Sequence, residues 1–506
     1  MLDALFNGFL TAFEPWNFAM IFVGTFVGLF AGALPGLSSP MAIVVLLPLT
    51  FPMAPLPALL VLIGVYVGTK LGGSFSAILL RTPGTPGSAC TALDGFPMAQ
   101  EGKAGHALGY ATLGSTTGGI FGWILAIIFI PLLSTVAVKS GPADIALVGI
   151  MGLFMVSAFV RGSMMRGLMG VFLGLLISTV GLDKIDGSER LTFGVIDLMS
   201  GVPFAAALTG FFGIAVVLSD VKLVGRKEVL VTDNVNLALP SFRECTARWR
   251  AILTGSFFGT GIGAIPGVGA EGATWVAYAS MRGQSKNPEN FGKGEPDGIV
   301  APEATNNATT GGTMVPMLTL GIPGDGSTAV ILGAFVLHGI EPGVMLMRTS
   351  EDLVFGILAG LLIATILMFL IAWKAIWIFI YMLQQDRSWL FPMVLVLACL
   401  GAFATMGSVF PIYVAIILGV VGFLLEKAGF PVVTIVLGII LGPIIEENIR
   451  LGLILSGDQW STFVATWPRL GLVSVIVLLL AWEAYKQLTR AAQAEPPASD
   501  KTTIGD

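Results

Sequence analysis

The sequence predicts an all-α integral membrane protein of about 11 to 13 transmembrane helices, some of them broken or re-entrant, arranged as two structural repeats. Three observations lead there. Apolar residues make up 55% of the 506 residues and charged residues 11%, with a mean hydropathy of +0.89; a soluble domain carries about 25% charged residues. Four long stretches hold no charge at all: Pro15–Thr69, Ala107–Val138, Leu353–Trp373 and Ser388–Leu425. The 65 glycines sit inside apolar runs or beside prolines, where small residues let helices approach and Pro-Gly pairs break them.

Taken in order, spans are expected near 17–34, 41–65, 107–135, 143–160, 167–182, 195–219, 250–265, 328–347, 353–382, 389–406, 408–426, 430–445 and 464–485. Met1–Asn17 lacks the basic region of a cleaved signal, so the first apolar run is expected to be retained. That segment carries Asp3 and Glu14 and no Lys or Arg, which favours a periplasmic start. Residues 1–219 form the expected first half and 251–485 the second. Between them, 220–250 holds Lys222, Arg226, Lys227, Arg243, Arg248 and Arg250, and is expected to be a cytoplasmic linker. The tail 486–506, rich in Pro, Ala and Ser at its end, is expected to be cytoplasmic and partly disordered.

The chain repeats itself. GTFVGLFAGALPGL at 24–37 aligns without a gap with GSFFGTGIGAIPGV at 255–268, matching Gly24, Phe26, Gly28, Gly32, Ala33, Pro35 and Gly36 to Gly255, Phe257, Gly259, Gly263, Ala264, Pro266 and Gly267. In the same order, Gly72-Gly73-Ser74 leads to Pro83-Gly84, and Gly311-Gly312-Thr313 leads to Pro323-Gly324. Repeated halves with interrupted helices are characteristic of secondary transporters. A first half starting outside and a second starting after a cytoplasmic linker would be inverted relative to one another.

Four Pro-Gly elements are therefore the candidate site: Pro35-Gly36 with Ser38 and Ser39; Pro83-Gly84-Thr85-Pro86-Gly87-Ser88, preceded by Gly73 and Ser74; Pro266-Gly267 with Gly269; and Pro323-Gly324-Asp325-Gly326-Ser327-Thr328. A helix broken at membrane depth exposes N–H groups at one end and carbonyls at the other, tolerable only in a cavity or inside protein. The N–H ends suit a carboxylate; carbonyls with Ser, Thr or Asn oxygens suit a hard cation. A packing kink or surface turn is the alternative for any single pair. Ahead of the last element, Asn306, Asn307, Thr309, Thr310, Gly311, Gly312 and Thr313 place uncharged oxygens and amides beside a glycine break, able to bind a carboxylate or complete a cation shell. Helix-to-helix hydrogen bonding is their alternative role. Asp325, Asn306, Thr309 and Ser74 are the candidate ligands of a coupling cation; Asp325 could instead relay a proton or face the water-filled end of a cavity. Glu303 reads as a helix cap, Glu446 and Glu447 as a solvated helix end, and Arg81 either as a partner for a substrate carboxylate or as a snorkelling side chain.

Other classes find no support. No basic patch interleaved with aromatics points to nucleic acid. Cys90, Cys245 and Cys399 lie far apart without zinc spacing, and His106 and His338 are the two histidines. No GxxxxGK[ST], HExxH or GxSxG occurs, so no ATP hydrolysis and no enzyme chemistry is expected. Transport energy would come from an ion gradient or a partner, with no tightly bound cofactor. A passive anion channel is the rival reading, since carbonyl-lined constrictions also build pores.

At these residues the chain resembles a known family, the large membrane subunit of the tripartite tricarboxylate transporters. The resemblance lies in GALPGLSSPMAIVVLLPLTF (32–51), GGSFSAILLRTPGTPGSACTALDGFPMAQEGKAGHALG (72–109), FGKGEPDGIVAPEATNNATTGGTMVPMLTLGIPG (291–324) and LGAFVLHGIEPG (332–343). The resemblance implies a secondary transporter of a bacterial inner membrane that imports carboxylates with sodium or protons. It implies two partners, a small membrane subunit of about four spans and a periplasmic substrate-binding protein; homo-oligomers are an open expectation. Its motifs map onto Pro35-Gly36, Gly72-Gly73-Ser74, Pro83 to Ser88, Glu303 to Gly312 and Pro323-Gly324. Asp325-Gly326 and Glu271 depart from the family's small or uncharged residues, and Asp325 is expected to ligate the coupling cation. Substrate held between the tips of two repeats, moving against a scaffold, suits an elevator motion.

Overall fold

The computed structural model describes residues 1–137, 140–159, 163–183, 185–220, 238–383 and 390–493. Lys222, Arg226 and Lys227 of the expected linker and residues 494–506 of the tail lie outside the described residues. Helices account for nearly all regular structure. The first half contains α1 (Leu2–Ala12), α2 (Pro15–Ala33), α3 (Ser39–Thr50), α4 (Pro55–Leu80), α5 (Thr91–Gln100), α6 (Ala104–Ala137), α7 (Pro142–Phe159), α8 (Met164–Ser178), α9 (Phe204–Leu208) and α10 (Ala215–Asp220). The second contains α11 (Phe242–Thr246), α12 (Trp249–Gly263), α13 (Gly269–Gln284), α14 (Asp297–Leu320), α15 (Gly326–Leu337), α16 (Leu346–Thr349), α17 (Glu351–Leu383), α18 (Leu390–Met406), α19 (Phe410–Lys427), α20 (Val432–Ser456) and α21 (Trp467–Gln493). One short hairpin pairs Gly181 with Arg190 and Leu182 with Glu189.

Among the described residues, 8 helices are long and apolar enough to cross a membrane, and five shorter apolar helices accompany them. The chain is thus a multi-pass membrane protein. Several boundaries differ from the sequence reading. The expected span 41–65 is two helices, because Pro52 and Pro55 flank a turn and α4 then runs on to Leu80. The expected span 328–347 ends at Leu337. The expected span 430–445 continues to Ser456, so Glu446 and Glu447 lie inside α20 instead of ending it. There Glu446 accepts from Arg190 at 2.7 Å. The helix absorbs the acid pair because cationic partners from the 181–190 loop and from Arg450 stand beside it.

The least expected helix is α14. It is too rich in Asn, Thr and Gly to read as a span, yet every residue from Gly298 to Thr319 is buried. Apolar periodicity marks helices that face lipid or core at a single boundary; α14 is enclosed by protein, so polar side chains are accommodated by hydrogen bonds. Thr305, Thr309 and Thr310 each donate to a carbonyl of their own helix.

Glycine sets the spacing around it. Gly24 stands against Val61, Gly28 against Val65 and Gly32 against Thr69, so α2 and α4 run parallel in close contact. A Cβ on Gly28 would stand 2.5 Å from the Val65 carbonyl oxygen, closer than any side chain tolerates. Because α4 begins level with the start of α2, α3 must run back between them, and Pro35-Gly36 is the tip of a hairpin. The second half does the same: Gly255 stands against Ala301, Gly259 against Thr305 and Gly263 against Thr309, making α12 and α14 parallel with Pro266-Gly267 at the turn. The two tip glycines share a left-handed backbone, Gly36 at φ 96 and Gly267 at φ 86. Between the halves, Tyr66 meets Thr313 and Lys70 meets Asn306, so α4 and α14 cross in opposite directions. Outside this centre, α20 packs on α7 and α8, while α18 and α19 pack with α3, α9 and α10.

Candidate functional site

Each long central helix ends the same way. After α4, Arg81 takes a left-handed conformation (φ 58), Pro83-Gly84 follows, and Thr85 opens a capping box with Ser88. After α14, Gly321 takes the same conformation (φ 71), Pro323-Gly324 follows, and Asp325 opens a capping box with Thr328. The left-handed residue stops the helix, and the capping side chain starts the next one by accepting the orphan N–H groups. Gly84 is required because its Cα faces the Gly32 carbonyl, and Gly324 because its Cα faces that of Gly263. The Gly84 N–H donates to the Gly73 carbonyl at 3.1 Å, and Gly73 backs onto the Thr85 and Ser88 hydroxyls.

The four interrupted elements meet. The Gly267 N–H donates to the Gly324 carbonyl at 2.9 Å, joining two tips directly. A methyl group on Gly269 would stand 2.9 Å from Asp325 Cβ, one on Gly326 would stand 3.2 Å from Pro40 Cγ, and one on Gly87 would stand 3.2 Å from Ala270 Cβ. The first turns of α3, α13 and α15 and the Pro86–Ser88 turn therefore form one continuous set of contacts. Pro35, Gly36, Ser38, Gly267 and Asp325 are half-buried there, Ser39, Ser327 and Thr328 are buried, and Pro86 and Glu271 are exposed. Ser38 caps α3 by accepting from Met41 N at 3.4 Å. Helix N-termini brought together in this way carry partial positive charge and unpaired N–H groups. Helix N-termini of this kind suit an anion.

The amide run lies directly behind it. Asn306 Nδ2 donates to the Lys70 carbonyl at 3.1 Å, and Asn307 Nδ2 to the Val67 carbonyl at 3.4 Å. Those bonds fix both amides, and both Oδ1 atoms are buried without a hydrogen-bond donor among the described residues. Asn306 Oδ1 points at Gly87 of the first-half tip. Gly311 and Gly312 serve packing, the first against Gly122 of α6 and the second against Thr260 of α12. Thr313 reaches Tyr66 Oη at 3.0 Å.

The four candidate cation ligands have different hydrogen-bond partners. Asp325 Oδ2 accepts from Tyr66 Oη at 2.8 Å and pairs with Lys70 Nζ at 3.2 Å, while its Oδ1 accepts from Thr328 N at 2.8 Å. Asn306 faces Gly87 instead. Thr309 donates to its own helix at the Asn306 carbonyl. Ser74 lies beside the Glu303 carboxyl. Glu303 does not cap a helix as the sequence suggested. It sits within α14, fully buried, and accepts from the hydroxyls of Thr91 and Ser115. The cap was misplaced because α14 starts at Asp297, six residues earlier. Arg81 is exposed, with its guanidinium 5.5 Å from the centroid of the Phe96 ring.

Sequence reasoning missed Lys70, Tyr66 and Asp94. Lys70 had a signal, since a lone cation between two apolar runs is a functional residue by default. Asp94 had none. Its Oδ1 accepts backbone N–H groups from Gly292, Lys293, Gly294 and Glu295 at 2.8 to 3.1 Å, and its Oδ2 accepts from Tyr278 Oη at 2.9 Å. That carboxylate clamps the loop entering α14 to α5.

The chain is similar in sequence to known proteins. The family described as "Tripartite tricarboxylate transporter TctA family" matches residues 18–437. An uncharacterized 52.8 kDa protein in the TAR-I ttuC' 3' region of Agrobacterium vitis is 36% identical over 490 residues, covering 95% of this chain and 97% of that protein. An uncharacterized protein in the TAR-II ttuC' 3' region of the same organism is 35% identical over 227 residues, covering 44% of this chain and 94% of that protein. No solved structure matches the chain.

Proposed function

The chain belongs to the tripartite tricarboxylate transporter TctA family, and from that premise we propose that it is the large membrane subunit of a secondary active uptake system. It imports organic anions of the di- and tricarboxylate type across a bacterial inner membrane, driven by a sodium or proton gradient. The observation that carries this is the meeting of interrupted helices from both halves, with the first turn of α15 in contact with those of α3 and α13. Their N–H ends supply the positive field for a carboxylate, and the buried Asn306 and Asn307 oxygens behind them supply acceptors for a cation.

In this reading the two halves are inverted repeats. The antiparallel crossing of α4 and α14, with the same Pro-Gly and capping-box sequence after each, supports it. Substrate sits between the tips, and the central helices carry it past a scaffold that includes α7, α8 and α20 in an elevator motion. A small membrane subunit and a periplasmic binding protein complete the system, the latter delivering the anion. Proteoliposomes holding the chain and its small partner, supplied with binding protein and a panel of di- and tricarboxylates, test the reading. Accumulation against the carboxylate gradient under an imposed sodium or proton gradient is expected. Equilibration without accumulation would identify a passive channel instead.

A further inference from the structure

The two tips are built on one plan, and they differ at their charges. Adding 240 to a first-half number carries Pro83-Gly84 onto Pro323-Gly324 and the capping pair Thr85/Ser88 onto Asp325/Thr328. The same shift carries Tyr66 onto Asn306 and Lys70 onto Thr310. Three of these four positions face the tip of the opposite half: Tyr66 and Lys70 face Asp325, and Asn306 faces Gly87.

At the second-half tip the carboxylate has its partners. Asp325 takes Tyr66 Oη, Lys70 Nζ and the Thr328 N–H, and the Lys70 and Asp325 side chains are 7% and 12% exposed. Burying an ammonium and a carboxylate together costs more than an apolar pair would, so their presence in the centre of the molecule calls for a role. At the first-half tip Thr85 stands in place of the acid, and the position equivalent to Lys70 is Thr310. Among the described residues, Asn306 Oδ1 is buried there without a hydrogen-bond donor. The Asn306 amide cannot turn to relieve this, because its Nδ2 holds the Lys70 carbonyl. A buried acceptor oxygen with no donor, at the end of a broken helix, is half of a cation site.

We propose that the tips are two versions of a single cation site: the Lys70 ammonium fills the second-half version permanently, and the first-half version, at Asn306, takes a free monovalent cation of sodium size. This rests on the transport reading only in calling that cation the coupling ion. Lys70 then substitutes for a second cation, so one tip of the pair remains for sodium.

Thermal unfolding of the purified full chain in detergent, with sodium chloride titrated against choline chloride at constant ionic strength, tests it without substrate. The wild type is expected to show a saturable rise in Tm with sodium. Asn306→Ala should weaken the sodium midpoint about tenfold or more. Lys70→Ala should gain a second saturable sodium response through Asp325, and Lys70→Ala/Asp325→Asn should lack that second response. A Lys70→Ala protein that folds only in sodium also supports the proposal. A wild type without a saturable response, a Lys70→Ala titration identical to the wild type, or a midpoint indifferent to Asn306→Ala overturns it. So does a Lys70→Ala protein that fails to fold in both salts. Sodium binding without carboxylate uptake in proteoliposomes would instead refute the transport reading and leave this assignment standing.

Discussion

Asn306 donates its side-chain N–H to the main-chain carbonyl of Lys70 at 3.1 Å, while the Lys70 ammonium turns to Asp325 at 3.2 Å. One residue of the first half thus links two elements of the second, the amide run and the tip that follows it. The hydrogen bond also decides which atom of Asn306 faces Gly87, and hence whether that surface attracts cations or anions.

That orientation makes Asn306→Asp informative. The substitution keeps the size, removes the donor to Lys70 and places a second carboxylate at a buried position behind the tips. Carboxylate uptake is expected to fall about a hundredfold, equivalent to about 2.7 kcal/mol, with Tm within a few degrees of wild type. Uptake at the wild-type rate in proteoliposomes would remove Asn306 from the transport site.

Close packing of α2 on α4 gives a stability prediction. Gly28→Leu must push α2 off the Val65 backbone, at a cost of about 3 kcal/mol or more. Tm in detergent should drop by about 3 °C or more. Gly261→Leu is the control, since Gly261 is exposed and a Cβ there meets nothing within 4 Å. Equal Tm for the two variants would contradict the packing.

The Asp94 clamp should be stronger than any single hydrogen bond. Asp94→Ala leaves four backbone N–H groups and the Tyr278 hydroxyl without their acceptor, a loss of about 3–5 kcal/mol for a buried charge network. Tyr278→Phe removes one donor and should cost about 1 kcal/mol. Chemical denaturation of the two variants, in detergent, compares them; a smaller loss for Asp94→Ala than for Tyr278→Phe would count against the clamp.

Acid should loosen the 179–203 loop before the rest. Asp183 is held down at about 2, first by the Ile185 N–H, then by the Asp186 N–H and by Arg450. The Arg450 guanidinium stands 2.6 Å from its Oδ2. A carboxyl lowered from an ordinary value of about 3.9 gives its full stabilisation above that pH and loses it as pH falls toward 2. Pepsin cleavage in the loop should therefore rise between about pH 4 and pH 2. Arg450→Gln should move that onset to higher pH, and an unmoved onset would assign the loop's acid sensitivity elsewhere.

Much of this was legible in the residues. The charge-free runs marked the spans that face lipid on one side, as in α6 and α17. The two GxxxGxxxGA–PG stretches located the hairpins, because close helix approach and a left-handed tip each demand glycine at fixed spacing. Helix α14 was not legible as a helix of the membrane region. Hydropathy registers transfer from water to lipid, and α14 never meets lipid. Lys70 and Asp325 carried a signal one at a time, but their pairing over 255 positions has no trace in either neighbourhood.

By itself, the sequence determined that the chain lives in a membrane, that its helices break at four Pro-Gly elements, and that the breaks recur in two halves. These follow from local chemistry: apolar length, the missing N–H of proline and the backbone freedom of glycine. Tertiary structure alone decided which breaks touch, which amide oxygen is left without a donor, and which acid is neutralised by which base. Such pairings depend on helices far apart in the chain crossing at one depth, and only the packing of α4 against α14 fixes that crossing.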